Sequence, residues 1–207
     1  LKRESGIASG FDHFSQPDHA RRLGAETTEA ALEWLGEKPA EPFFAWVHYF
    51  DPHAPYEAPS PYDRQFTADE KLEAHLAQRQ VPARVQKQRS DKRVVPEEDA
   101  WDTRKAVNGY DGEIRYTDEQ VKTLLARLRE AGLSERTLIV LTGDHGEGLG
   151  QHGIVMHDAI WAEQLHVPLL IHVPGRSAQR VTAAMRSIDV LPTVLALVPS
   201  IPGAEFL

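Results

Sequence analysis

A carboxylate and an imidazole stand next to each other in a glycine-rich segment, and both groups are common metal ligands. Asp144 and His145 lie in the stretch 143–153, beside glycines that allow a ligand to approach the backbone closely. Two ligands cannot hold a catalytic divalent ion tightly, so further ligands must converge from elsewhere in the fold. The alternative is structural: Asp144 caps a turn and His145 is a polar loop residue. Residue types and spacing leave both interpretations open.

Two further histidines can act on the same ligand. His53 lies in the loop 51–56 between two prolines, whose stiff backbone suits a side chain aimed at a fixed substrate atom. His157 follows His145 by twelve residues and can reach back over its pocket as a cation or a proton donor. The alternative for His53 is a structural turn with a surface histidine, and for His157 a hydrogen bond to loop backbone.

The elements that position these loops follow from the pattern of apolar residues. Nearly continuous apolar runs predict strands buried on both faces. These runs are Phe43–Tyr49, Thr137–Thr142 and Val167–Val173. Apolar periodicity and capping residues predict helices. The helices cover Asp18–Gly36, the run from Val107 to Leu128 with Gly132 as its stop, and Ser187–Leu197 interrupted near Pro192.

This alternation of helices and strands predicts an α/β fold with a mostly parallel sheet and helices on both faces. Ligands bind such sheets beyond the carboxyl ends of the strands, and the two histidine-bearing loops both lie there. The topology therefore predicts that His53, Asp144, His145 and His157 face one crevice.

Composition excludes several classes of protein. With 207 residues, 41% of them hydrophobic and 26% charged, the chain is one globular domain or part of a larger one. A formal charge of −8 disfavours nucleic acid as the main partner, and the apolar runs are too short to span a membrane. The absence of cysteine excludes disulfides, cysteine–zinc sites and a cysteine nucleophile within these residues. Periplasmic, secreted and cytoplasmic locations all fit, and the oligomeric state is left open.

Several segments resemble those of the sulfatase family, a branch of the alkaline-phosphatase-like superfamily. They occur in the family's order and span roughly residues 10 to 200, which is difficult to obtain by chance. Segment 42–56 is similar to the family's strand and following Asp-Pro-His-x-Pro-Tyr loop, and 142–153 to its most diagnostic C-terminal block. Segments 110–118, 167–171 and 187–193 match the helix before that block and two later stretches.

The resemblance implies a role for each candidate residue. Asp144 and His145 match two of the family's metal ligands, and His53 matches the histidine that contacts the sulfate ester. His157 falls where relatives carry a lysine or histidine that binds the transferred group or assists the leaving oxygen. The implied cofactor is a divalent metal: calcium is the family's common choice, and manganese stays open because histidine is a softer ligand than calcium prefers.

One part of the family pattern is missing. The nucleophile motif Cys- or Ser-x-Pro-x-Arg, whose first residue becomes formylglycine, does not occur in the chain, nor does the family's N-terminal aspartate pair. Both would precede Leu1, so residues 1–207 are expected to be an incomplete sulfatase catalytic domain that is inactive alone.

The predicted function is a sulfuric ester hydrolase, with a sulfate ester as substrate and water on formylglycine attacking sulfur. The alternatives are a phosphodiesterase or phosphonate monoester hydrolase of the same superfamily, which uses a similar metal cradle, and a noncatalytic anion-binding domain.

Overall fold

The computed structural model describes residues 3–17, 21–39, 41–85 and 100–198 of the chain. Its helices are α1 (Gly24–Gly36), α2 (Glu70–Gln78), α3 (Thr103–Glu130), α4 (Ala162–Leu165) and α5 (Val190–Leu197). Its strands are β1 (Arg84–Val85), β2 (Trp101–Asp102), β3 (Ile139–Thr142), β4 (Gly148–Leu149), β5 (Val155–Met156) and β6 (Leu169–His172). Short 3₁₀ helices lie at Arg3–Ser5, Tyr62–Arg64, Ser134–Arg136, Gln151–Gly153 and Ser187–Asp189. The mixture of helices and strands agrees with the sequence-based prediction.

The strands form antiparallel pairs. β3 pairs with β6, with Ile139 opposite His172 and Thr142 opposite Leu169. β1 pairs with β2, and β4 pairs with β5. The β4–β5 hairpin reverses the chain at the end of the glycine-rich segment. This hairpin places the segment just before His157 alongside the segment that follows His145.

The predicted sheet differs from the observed one in two respects. Within the described ranges every strand pair is antiparallel rather than parallel, because β6 returns beside β3 after the glycine-rich hairpin and α4. The segment Phe43–Tyr49, predicted as a strand beside them, is neither helix nor strand. A strand needs a neighbour whose backbone completes its hydrogen bonds, and no described residue pairs with this segment.

The first helix starts later than predicted. It begins at Gly24 instead of Asp18, which lies outside the described residues. The Asp51 carboxylate accepts the Gly24 N–H at 2.7 Å, and the Tyr116 hydroxyl accepts the Ala25 N–H at 2.7 Å. The first backbone donors of α1 are therefore satisfied by side chains from distant segments, which no local pattern reveals.

The other two predicted helices are present. α3 confirms the long helix: the Asp102 carboxylate accepts the Lys105 N–H at 3.0 Å at its start, and Gly132 follows its end with a φ of +70°. The predicted interruption at Pro192 is wrong, since α5 runs unbroken from Val190. Pro192 lies in the first turn, where its missing N–H has no helical acceptor to lose.

The buried apolar side chains gather around α3. Among the described residues they are Ala58, Leu76, Val85, Ala106, Tyr116, Leu128 and Val155. Large apolar side chains elsewhere are open to solvent: Phe44 is 72% exposed, Trp46 51% and Leu170 58%. No described helix combines the length and apolar character needed to cross a membrane.

Candidate active site

Three imidazole rings lie together where the loop 51–56 meets the glycine-rich segment. The ring centroids of His145 and His157 are 4.0 Å apart, with the rings stacked at 26°. The ring of His53 lies 5.2 Å from that of His157 and 6.4 Å from that of His145. The structure thus brings the three candidate histidines together, although they do not meet at the edge of a parallel sheet.

Asp144 and His145 follow the end of β3. The Asp144 side chain is 85% exposed, and its Oδ1 lies 3.8 Å from Nε2 of His145. The same oxygen accepts the backbone N–H of His145 at 3.0 Å, so the turn-capping role coexists with an open carboxylate. The His145 Nδ1 lies 2.8 Å from the carbonyl oxygen of Gly146. Donation from Nδ1–H to that carbonyl leaves the Nε2 lone pair available for a cation.

These two donors fit one part of a divalent metal site. A carboxylate oxygen and an imidazole nitrogen 3.8 Å apart can both reach one ion at ordinary ligand distances of about 2.0–2.6 Å. Within the described parts of the chain, no group of three or more His, Cys, Asp or Glu side chains is arranged to hold a metal ion. Asp144 and His145 alone can supply two donors to a divalent ion.

The orientation of His53 is set within its own loop. Its backbone N–H donates to the carbonyl oxygen of Phe50 at 3.0 Å, and its Nδ1 lies 2.7 Å from the carbonyl oxygen of Ala54. The Phe50 ring packs against the imidazole, with centroids 4.6 Å apart. Contacts from both sides of the turn hold the ring, and its Nε2 is left for a ligand.

A buried ionic cluster anchors the His53 loop to α3 and to Arg21, which precedes α1. Nη2 of Arg21 lies 2.6 Å from Oδ1 of Asp51 and 2.9 Å from Oε1 of Glu113. Nη1 of Arg21 donates to the carbonyl oxygen of Pro55 at 2.7 Å, and the N–H of Glu57 donates to Glu113 at 2.7 Å. Burial raises the pKa of the Glu113 carboxyl, while the bonds from Arg21 and Glu57 oppose that shift. The cluster therefore fixes both ends of the loop that carries His53.

His157 is positioned by residues that the sequence analysis did not single out. Its Nδ1 lies 3.4 Å from Oε1 of Glu147, a buried carboxylate. The hydroxyl of Tyr56 donates to the other oxygen of Glu147 at 2.9 Å. Burial and the nearby Glu147 carboxylate raise the pKa of Tyr56, so this hydroxyl stays protonated and keeps donating. Glu147 thus links the His53 loop, through Tyr56, to His157.

The sequence marked Glu147 only by its place among the glycines of the segment 143–153. Its burial could not be predicted from the sequence.

Another histidine of this segment lies outside the cluster. His152 stacks on Trp161, with centroids 3.9 Å apart, and its Nε2 is 3.6 Å from Glu163.

The arrangement suits a tetrahedral anion beside a cation. In each of the three rings the Nδ1 atom faces a protein oxygen: a backbone carbonyl for His53 and His145, and a carboxylate for His157. Assigning the proton to Nδ1 from these partners leaves the Nε2 atoms to contact a ligand. Such a group can bind non-bridging oxygens, and one ring beside a carboxylate can carry a transferable proton.

The chain is similar in sequence to known proteins. The sequence model of the family described as Sulfatase matches residues 8–200. A multifunctional alkaline phosphatase superfamily protein from Trinickia caryophylli is 29% identical over 196 residues, which cover 81% of this chain and 36% of that protein. Iduronate 2-sulfatase from Homo sapiens is 29% identical over 171 residues, which cover 74% of this chain and 31% of that enzyme. The chain spans about a third of the length of these curated relatives.

A solved structure shares the fold. The phosphonate monoester hydrolase from Silicibacter pomeroyi matches with a TM-score of 0.65 at 24% sequence identity. The match covers 94% of this chain and 45% of the hydrolase. At this level of identity the likeness speaks for a common architecture and not for a common substrate.

Proposed function

The chain belongs to the sulfatase family, and we propose on that basis that the whole protein hydrolyses sulfate esters. The observation that carries the proposal is the meeting of His53, His145 and His157, with ring centroids 4.0–6.4 Å apart, beside the open carboxylate of Asp144. In this proposal the 207 residues are an incomplete catalytic domain, and the nucleophile belongs to a part of the whole protein outside them.

His53 and His157 have different tasks in the proposed reaction. His53 is held by its own loop and presents Nε2 to a non-bridging oxygen of the ester. In the form that donates a proton, both ring nitrogens of His157 carry one, and the buried carboxylate of Glu147 lies 3.4 Å from Nδ1. Its Nε2–H then donates to the oxygen of the departing alcohol, because an alkoxide leaves poorly without a proton.

Asp144 and His145 hold a divalent metal in the proposal. Calcium is favoured by the family resemblance, and manganese is the alternative because one of the two donors is an imidazole nitrogen. When bound, the metal neutralises charge on the ester oxygens. Sulfatases generally use formylglycine as the nucleophile, and this group is assigned to the remainder of the protein.

The main alternative is hydrolysis of phosphonate monoesters or phosphodiesters. It is kept because the Trinickia caryophylli relative is described as multifunctional, and because a cradle for sulfate also fits a phosphoryl group. Sulfate esters are preferred because several other curated relatives, iduronate 2-sulfatase among them, carry sulfatase names.

The test is a comparison of substrates with the purified full-length protein. We expect kcat/KM for 4-nitrophenyl sulfate to exceed that for 4-nitrophenyl phenylphosphonate and bis(4-nitrophenyl) phosphate. A parallel preparation of Asp144→Ala, which should lose the activity, controls for contaminating hydrolases. A preference for either phosphorus ester would replace the proposal with the alternative. Binding of inorganic sulfate without turnover of any ester would indicate a noncatalytic anion-binding protein.

A further inference from the structure

We propose that Gln164, a residue of α4, is the positioning residue that places His157 for its work on the leaving group. The proposal rests on the proposed function for the meaning of that work, but the placement itself is argued from packing. Gln164 is only 2% exposed, although glutamine is normally a surface residue. A buried amide is retained only where its hydrogen bonds are made.

The side-chain amide of Gln164 bridges the turn that contains His157. Its Nε2 donates to the carbonyl oxygen of Met156 at 2.9 Å, and its Oε1 accepts the N–H of Ala159 at 3.0 Å. The reverse orientation of the amide would set its NH₂ group against the N–H of Ala159, so the partners fix the assignment. One side chain therefore ties together the residues on both sides of His157.

The backbone of α4 holds the other half of the site. The carbonyl oxygen of Gln164 accepts the N–H of Gly146 at 2.7 Å, and that of Glu163 accepts the N–H of Glu147 at 3.1 Å. Both bonds join α4 to the stretch between His145 and the carboxylate that faces His157. Gln164 thus connects the two stretches of chain whose imidazoles stack.

Two glycines show how closely α4 and Gln164 approach the glycine-rich segment. A Cβ atom on Gly146 would lie 2.1 Å from the carbonyl oxygen of Glu163. A Cβ atom on Gly148 would lie 2.9 Å from Nε2 of Gln164 and 2.7 Å from the carbonyl oxygen of Met156. Only glycine fits at these positions, because the amide of Gln164 and the backbone of α4 occupy the space.

The turn needs such a support. Met156 has a φ of +69°, a conformation that costs energy for a residue with a side chain. It persists only when surrounding contacts over-determine it, and the bond from Gln164 to its carbonyl oxygen is such a contact. Without this bond we expect the turn to relax and the ring of His157 to leave its position beside Glu147 and over His145.

The test compares two sulfate esters in the full-length protein carrying Gln164→Leu, which keeps the volume and removes both hydrogen bonds. With an alkyl sulfate, whose leaving oxygen needs a proton, we expect kcat to fall about 10- to 100-fold, as for a displacement of about 1 Å. With 4-nitrophenyl sulfate, a good leaving group, kcat should change little, and KM should be nearly unchanged for both. Gln151→Leu is the matched control, because Gln151 also makes a side-chain hydrogen bond: it accepts the N–H of Leu149 at 2.7 Å. Any fall in kcat of this variant should be the same for both leaving groups.

An equal fall in kcat on both esters, or wild-type kinetics in Gln164→Leu, would overturn the proposal. If that variant does not fold, Gln164→Glu keeps the acceptor for Ala159 and removes the donor to Met156, and the same dependence on the leaving group is expected. If the wild-type protein hydrolyses no sulfate ester, the proposed function fails instead. The placement is then tested by a crystal structure of Gln164→Leu, in which an unmoved His157 ring would refute it and a displaced ring would support it.

Discussion

At the scale of single residues, the three imidazoles share one mode of attachment. Each has its Nδ1 against a protein oxygen, at 2.7 Å for His53, 2.8 Å for His145 and 3.4 Å for His157. This arrangement leaves each Nε2 for a ligand, as hydrogen bonds from neighbouring groups do for metal-bound histidines. The partner of Nδ1 differs where the proposed task differs: only in His157, the proposed proton donor, is it a carboxylate.

Asp144 gives the residue-scale prediction for the metal. Replacing Asp144 with alanine removes one of two donors, so the full-length protein should lose at least about 10-fold in divalent-metal affinity. The measurement is the metal content per protein after dialysis, by elemental mass spectrometry, followed by titration with Ca²⁺ and Mn²⁺. Glu135→Ala is a suitable control, since Glu135 is an exposed acid just before β3. Unchanged metal content in Asp144→Ala would remove this residue from the site.

At the scale of elements, the His53 loop depends on charges from α3 and from the segment that precedes α1. Arg21 lies between Asp51 and Glu113, and both carboxylates are buried. Removing one member of a buried ionic cluster leaves uncompensated charge, which is far more costly than losing a surface pair. The conformation of the His53 loop therefore depends on this cluster.

Replacing Arg21 with methionine should lower the free energy of unfolding of the full-length protein by roughly 3 kcal/mol at pH 7. Burial already raises the pKa of Glu113, and loss of Arg21 removes an interaction that opposes this shift. A carboxyl with a raised folded-state pKa favours the folded state below that pKa, and this stability is lost as the pH rises through it. The loss in free energy of unfolding caused by Arg21→Met should therefore be smaller at pH 5 than at pH 7.

Urea denaturation at both pH values measures that deficit. Arg22→Met is the matched control, because Arg22 hydrogen-bonds an exposed Ser15 at 3.0 Å and should cost little at either pH. A deficit for Arg21→Met that grows on acidification would contradict the assigned role.

The elements also show which parts of the fold a sequence can predict. α3 was predictable because a helix satisfies its hydrogen bonds internally, so the local pattern is sufficient. The conformation of Phe43–Tyr49 was not predictable, because a strand depends on a partner elsewhere in the chain and an apolar run does not identify that partner. The start of α1 was also missed, since distant side chains set it.

The candidate site divides in the same way. His53, Asp144, His145 and His157 were recognisable by residue type, by their loops and by family resemblance. Glu147 and Gln164 were not, because their roles follow from burial, and burial of a polar side chain comes from three-dimensional packing.

At the scale of the whole molecule, the balance of buried and exposed apolar surface is unusual. Among the described residues, Phe44, Trp46 and Leu170 are each more than half exposed, while seven apolar side chains are buried. Soluble monomers rarely leave large apolar patches in contact with water. These surfaces therefore suit coverage by protein rather than by solvent.

The isolated 207-residue chain should consequently self-associate. We expect it to bind a hydrophobic dye strongly and to elute in light scattering as species larger than a monomer, because exposed apolar segments and strand edges pair with one another. Phe44→Lys combined with Trp46→Lys should reduce both signals. A monomeric wild-type chain with a cooperative thermal transition would contradict this expectation.

The central claim is that the His53 loop and the glycine-rich segment form one pocket that acts on a sulfate ester. The most direct measurement is a double-mutant cycle of kcat/KM on the preferred sulfate ester, using full-length wild type, His53→Ala, His157→Ala and the double variant. His166→Ala is the control, because His166 is an exposed histidine directly after α4. Each single variant should lose roughly 10²- to 10⁴-fold if it serves the reaction as proposed. Because the two rings lie 5.2 Å apart in one site, the double variant should lose less than the product of the single losses. Wild-type kinetics in either single variant, or losses that simply multiply, would contradict the account.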